Sequence, residues 1–209
     1  MEESWIGAVR ALGGDERVAT EAASDLAARY GEPHRRYHGT AHVLAVLRDS
    51  ALLADELRLP GEERAVLTLA AAAHDAIYDG RPGEDERRSA AWAREWLTRA
   101  GVSEPHVARV DALVLATLTH SATDDLTAHA LLDADLAILG ADPESYERYR
   151  AAVREEYAAY DDEAWRRGRA SVLSDLLGRE PLYTTVAART RWEATAKANL
   201  GRELRALTG

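Results

Sequence analysis

Cysteine is absent from the 209 residues, which excludes disulfides, thiolate zinc sites, iron–sulfur clusters and a cysteine nucleophile. Any metal must therefore be held by histidine and carboxylate, a donor set that suits divalent manganese, cobalt, magnesium, nickel, zinc or iron better than copper(I). Long apolar runs are missing too, and none approaches the ~20 residues needed to span a bilayer. The opening segment, MEESWIGAVRALGG, begins with acidic residues and lacks a basic stretch followed by a long apolar core, so it does not read as a signal peptide. The expectation is a cytoplasmic protein with no membrane partner. Positive charge is scarce: the net charge is −10. Such a chain is a poor partner for a nucleic-acid polymer, whose binding rests largely on phosphate neutralisation. A small phosphorylated substrate remains compatible, because a metal or two well-placed arginines can reverse the local field. Lysine is nearly absent as well, with Lys197 standing alone against 25 arginines.

What the chain does have is helix-forming residues. Ala, Leu, Arg and Glu dominate, with apolar residues spaced three and four apart. This periodicity predicts about ten helices, near 4–11, 15–30, 40–57, 61–79, 85–100, 104–119, 124–139, 143–160, 162–177 and 185–207. The breaks fall at LGGDE, YGEPH, LPGEE, DGRPGED, AGVSEPH, LGADPES and GREPLY. Asp142–Pro143 reads as an N-cap followed by proline at the first helical position, and Ser103 near Pro105 as a weaker start. No alternating run supports a strand, and no repeat or linker divides the chain. The expected fold is all-α, a single-domain multi-helix bundle over residues 1–209.

Chemistry concentrates in three places. RRYHGTAHVLAVL, residues 35–47, sets His38 and His42 four residues apart where an apolar helix begins. If the helix is continuous, the pair shares one face. If Thr40 caps it, His42 lies in its first turn and His38 in the incoming loop. In LTLAAAAHDAIYD, residues 67–79, His74 and Asp75 close a run of alanine and leucine. Buried there, an imidazole and a carboxylate are costly unless paired with each other or bound to metal. In ALLDADLAILG, residues 130–140, Asp133 and Asp135 are two apart, so a helix sends them to opposite sides. Leu131, Leu132, Ile138 and Leu139 surround Asp135, which makes it the expected ligand and leaves Asp133 a supporting or exposed position.

The order His42, His74–Asp75, Asp135 resembles the H…HD…D pattern of the HD superfamily of metal-dependent phosphohydrolases. The resemblance extends through RRYHGTAH, HDAIYD, EDERRSA, TLTH, LLDADLAILG, YRAAVREEY and GRELRAL, in that order, across about residues 26–207. It points to a bacterial branch of HD phosphohydrolases generally without assigned substrates. The stretch around His38 is also similar to the YHNxxHA signature of the distantly related cyclic-nucleotide phosphodiesterases. That similarity implies His38 as general acid and His42 as metal ligand; the alternative for His38 is a structural histidine bonded to a ligand carboxylate. Gly39 replaces the asparagine of that signature, and no second histidine follows the HD pair. Both departures argue against cyclic-nucleotide specificity and a full two-metal site.

Other residues carry weaker signals. His120 either binds a second metal or the substrate phosphate, or rests at a helix C-terminus, where its charge is favourable. His106 is expected to be exposed, and His34 and His129 receive no role. By the resemblance, Glu86 and Ser89 fall near the site, with Glu86 orienting water. On the helix ESYERYRAAVREEYAAY, Arg150 shares a face with Tyr146, Val153 and Tyr157 and is the arginine assigned to phosphate, with Arg154 next. Arg35 or Arg36 is a further candidate contact for an anionic substrate.

The function that follows is a metal-dependent phosphohydrolase acting on a small phosphate ester, such as a nucleotide, by attack of a metal-bound water. Its metal would be held by His42, His74, Asp75 and Asp135, with His120 as an additional ligand. His38, Arg150 and Glu86 would take catalytic roles. The alternatives are an HD-type di-iron oxygenase, which needs further histidines such as His106, His120 or His129, and a non-catalytic nucleotide-binding domain.

Overall fold

The computed structural model describes residues 1–120 and 124–209, and among these the chain is all-α with no strand. No helix among them is long and apolar enough to cross a membrane. The chain forms two compact units, Met1–Ala134 and Asp135–Gly209. The junction falls within LLDADLAILG rather than in a polar linker.

The first unit contains α1 (Glu2–Ala11), α2 (Glu16–Tyr30), α3 (Thr40–Glu56), α4 (Gly61–Ala73), α5 (Glu84–Arg99), α6 (Glu104–Ala116) and α7, which spans Leu126–Asp135 and so carries one residue past the junction. Helix α4 is its axis, packed by α1, α3, α5 and α6. A helix surrounded by neighbours must be apolar all round, and small residues let those neighbours approach. Ala70, Ala71, Ala72 and Ala73 meet both needs, and each is completely buried.

Periodicity predicts α4 through residue 79, but the helix stops at Ala73. Every helix end must satisfy its backbone groups elsewhere. Here other segments take them. The Ile77 N–H donates to Ser89 Oγ at 3.0 Å, and the Ser89 hydroxyl donates back to the Ile77 carbonyl at 3.2 Å. The Asp79 and Arg81 N–H groups donate to Asp85 Oδ2 at 2.9 and 2.7 Å. His74 and Asp75 therefore lie in a turn just beyond the helix, closed by Ala76 N–H to the Ala73 carbonyl at 3.0 Å.

Helix α7 is held at its start by a polar clamp. Asp125 caps the N–H groups of Thr127 and Ala128 at 2.9 and 3.3 Å and receives both terminal nitrogens of Arg109 from α6. Glu63 of α4 accepts from Arg109 Nη2 at 3.2 Å and from the Thr127 hydroxyl at 2.6 Å.

The second unit starts with a 3-10 turn, Leu136–Gly140, where periodicity predicts more α-helix. Its carbonyls are used from within the unit: Leu136 O accepts from the Tyr183 hydroxyl and Leu139 O from Asn199 Nδ2, both at 2.9 Å. Gly140 meets Trp192 so closely that a Cβ there would stand 2.4 Å from the Trp192 Cβ. After the turn come α8 (Pro143–Glu156), α9 (Asp162–Leu177), α10 (Val186–Ala188), a π-helical stretch Arg189–Glu193 and α11 (Ala194–Thr208). The expected Asp142 cap is present, accepting from the Glu144 and Ser145 N–H groups at 3.1 and 3.0 Å. A buried ion pair ties α9 to α11, with Arg169 Nε donating to Glu203 Oε1 at 2.9 Å and Nη2 to Oε2 at 3.1 Å. The Tyr146 hydroxyl also donates to Glu203.

Removing one partner of a buried pair strands the other charge, at a cost of about 3–5 kcal/mol. Glu203→Leu should lower stability to denaturant by that amount, and Arg169→Met/Glu203→Leu should regain most of it. The Asp125 carboxyl is held below its ordinary value of 3.8 by its hydrogen bond from Arg109. A depressed folded value means stability present above the unfolded value and lost as pH falls through the folded one. The stability gap between wild type and Asp125→Asn should therefore be constant near neutrality and close in acid, as followed by thermal unfolding from pH 7 to pH 2.

Candidate metal centre

Helix α3 begins at Thr40 with Gly39 as its N-cap, so His42 occupies the first turn and His38 the incoming loop. Glycine suits that entry, since a Cβ on Gly39 would lie 3.2 Å from the Tyr30 carbonyl oxygen. His42 and His74 are buried, and Asp75 is half-buried. The turn after α4 lets adjacent His74 and Asp75 reach the same point, which a continuous helix would resist.

The three side chains converge closely. His42 Nε2 lies 3.1 Å from His74 Nε2, and Asp75 Oδ2 lies 3.4 and 3.2 Å from these two nitrogens. His74 Nδ1 donates to the Ala71 carbonyl at 2.8 Å, which turns Nε2 into the cluster. Electron-rich atoms this close repel one another unless a proton or a cation stands among them. Ligand atoms about 2.1 Å from a shared ion are spaced roughly 3.0–3.4 Å apart at octahedral or tetrahedral angles, and the observed separations fall in that range. The fixed Nδ1–H···O=C bond is also the usual support of a metal-bound histidine. Asp135, half-buried at the end of α7, adds a carboxylate oxygen, and His42, His74 and Asp135 offer ligand atoms all within 4.8 Å of one another. The residues fit a divalent ion.

The electrostatics agree. Burial pushes the Asp75 carboxyl up, but positive charge on His74 and hydrogen bonds from His42 and His74 outweigh it. The group is held well below the usual carboxylate range. It is an anion held beside two imidazole nitrogens.

Around the cluster lies an aromatic rim. His38 is half-buried, stacked on Tyr78 with ring centroids 4.2 Å apart and set edge-on to His42 at 5.5 Å. Tyr37 packs against both histidines at 4.8 and 4.7 Å. His34, given no role by the sequence, donates from Nε2 to the Tyr78 carbonyl at 2.7 Å.

The structure gives the other residues singled out in the sequence the following surroundings. Asp133 is buried and Asp135 only half-buried, the reverse of the apolar-stripe reading, because α7 ends at Asp135. Among the described residues His120 does not join the metal-competent group; it lies in the turn after α6, its N–H donating to the Ala116 carbonyl at 3.1 Å with φ at 46°. Glu86 accepts from the Gly83 N–H at 2.6 Å and serves as a helix cap. Arg150 is exposed and pairs with Glu147 at 2.8 Å, whereas Tyr146 and Val153 face the core. The arginine framed by tyrosines is Arg169, which donates to the Tyr149 hydroxyl at 3.1 Å. Its signal was concealed because it comes from the following helix. Arg154 lies over Trp165 at 5.4 Å and donates to Asp162 at 2.8 Å. His106 is half-buried, with Nδ1 2.9 Å from the Ser103 hydroxyl. Lys197 donates to the Arg179 carbonyl at 2.7 Å. Arg35 is sealed inside the unit and faces backbone carbonyls rather than an open cavity.

No family model matches the chain, and no curated protein or solved structure matches it at a significant level.

Manganese titration followed by calorimetry separates the two aspartates. His74→Ala and Asp135→Ala should each weaken Mn2+ binding by at least about 10-fold, while Asp133→Asn should stay within about threefold of wild type. An Asp135→Ala variant that binds Mn2+ within about threefold of wild type would remove Asp135 from the ligand set.

Proposed function

We propose that the protein is a metal-dependent phosphohydrolase acting on a small phosphate ester, with His42, His74, Asp75 and Asp135 holding a divalent ion. The observation that carries this reading is the convergence of two imidazole nitrogens and a carboxylate oxygen at 3.1–3.4 Å, with a second carboxylate nearby. The order of these residues is that of the HD phosphohydrolases, and the resemblance supplies the reaction class. When bound, such an ion lowers the pKa of a coordinated water and polarises a phosphoryl oxygen.

The chain's own groups have distinct tasks. His74 is oriented by the Ala71 carbonyl, which turns Nε2 into the cluster. Asp75 contributes negative charge that the ion offsets. His38 stands beside the ligand His42 without belonging to the tight triangle, and its half-buried ring can pass a proton to a departing alkoxide. Tyr37 and Tyr78 pack about His38 and restrict its ring. The Arg150 and Glu86 roles drop out of this mechanism because both side chains are engaged locally.

Protein purified without chelator should carry about one divalent ion per chain by mass spectrometry. A phosphate-release screen over nucleotides and small phosphate esters then tests turnover. His38→Ala should retain the ion and lose about 10²–10⁴-fold in kcat, the usual contribution of a positioned acid. An active wild type with an unimpaired His38→Ala variant would remove His38 from the chemistry, and a metal-replete chain inert on every ester would count against the hydrolase.

A further inference from the structure

The loop before α3 carries two adjacent arginines, Arg35 and Arg36, and only the first of them is buried. The side chain of Arg35 is 1% exposed. Its guanidinium sits between two rings, 5.1 Å from the centroid of Tyr30 and 5.7 Å from that of Tyr78. Nε donates to Glu32 at 3.1 Å, Nη1 to the carbonyls of His38 at 2.9 Å and Asp75 at 2.7 Å, and Nη2 to the carbonyl of Ala76 at 3.0 Å.

A buried cation is expensive and is kept only where its donors are fully used. What these donors hold is specific. The His38 carbonyl belongs to the loop that carries His38 and leads directly into His42. The Asp75 and Ala76 carbonyls belong to the turn that carries His74 and Asp75. These two segments are separated by more than thirty residues, and both lie outside the helices at this point. The planar fork reaches both at once, which a lysine, with a single nitrogen on a flexible stem, cannot do. Tyr78 links the same group to chemistry, since it packs on Arg35 and stacks on His38.

We propose that Arg35 is the positioning residue of the metal centre, one guanidinium setting the separation between the His38–His42 segment and the His74–Asp75 turn. The proposal rests on the metal-centre reading above and adds to it the group that fixes the ligand spacing. Arg35 touches neither ion nor substrate in this role. Its effect passes through the backbone carbonyls, as outer groups of metal sites generally act through the ligands they orient.

The test uses Mn2+ as the probe on the full chain. Affinity is measured by titration, and ligand geometry by the paramagnetic resonance spectrum of the bound ion. Arg35→Ala should weaken Mn2+ binding about 10–100-fold. Arg35→Lys keeps the charge and guards against simple misfolding; it should also bind more weakly and give an altered bound-ion spectrum. Leu53→Ala, which opens a cavity further along the chain in α3, is the control for general destabilisation and should leave affinity within about threefold. Wild-type affinity and spectrum in Arg35→Lys would overturn the proposal. So would an equal loss of affinity in Leu53→Ala, since Arg35 would then be acting through stability alone. A wild-type chain that takes up no divalent ion would overturn the metal-centre reading and this proposal together, an outcome read before any variant is made.

Discussion

Two imidazole nitrogens and a carboxylate oxygen meet within 3.4 Å inside an apolar bundle, and much of the first unit serves to hold them there. One cation would relieve both their mutual repulsion and their desolvation. That cation would offset the carboxylate charge and engage the lone pairs at once. The surrounding structure makes the meeting possible by unusual means. The chain enters α3 only after Gly39 and leaves α4 just before His74, so that residues from two segments can point to one place.

Leaving a helix inside a protein exposes backbone groups that water cannot reach, and each must find a partner. The partners here are side chains from elsewhere: Arg35 for the carbonyls of His38, Asp75 and Ala76, Ser89 for both backbone groups of Ile77, Asp85 for the N–H groups of Asp79 and Arg81, and His34 for the Tyr78 carbonyl. The charge-rich stretch EDERRSA thus works mainly on backbone, through Asp85 and Ser89. The Glu63–Arg109–Asp125 clamp does the corresponding work at the start of α7, the helix that ends in Asp135.

The second unit follows another plan. Its centre is the Arg169–Glu203 pair with Tyr146 and Tyr149, a group in which each polar atom named has a partner. This arrangement accounts for the tyrosines of α8 structurally. The tyrosine-rich helix carried the right residues for an arginine cradle, but the cradle encloses Arg169 and belongs to the core.

The sequence by itself determined the helices and their order, because three- and four-residue apolar spacing and turn residues such as Asp142–Pro143 act over a few neighbouring positions. It also singled out His42, His74, Asp75 and Asp135, because ionisable groups amid alanine and leucine are conspicuous wherever they occur. Only the tertiary structure decided where α4 and α7 stop, since Ser89, Arg35 and Tyr183 capture their backbone groups from distant positions. The same holds for the arginines. Arg35, Arg150 and Arg169 are chemically alike in the sequence, yet one pins two backbone segments, one lies on the surface and one neutralises Glu203. Local pattern reports what a side chain is; what it is near depends on how the helices pack, and that alone separates a ligand from a cap and a catalytic charge from a core ion pair.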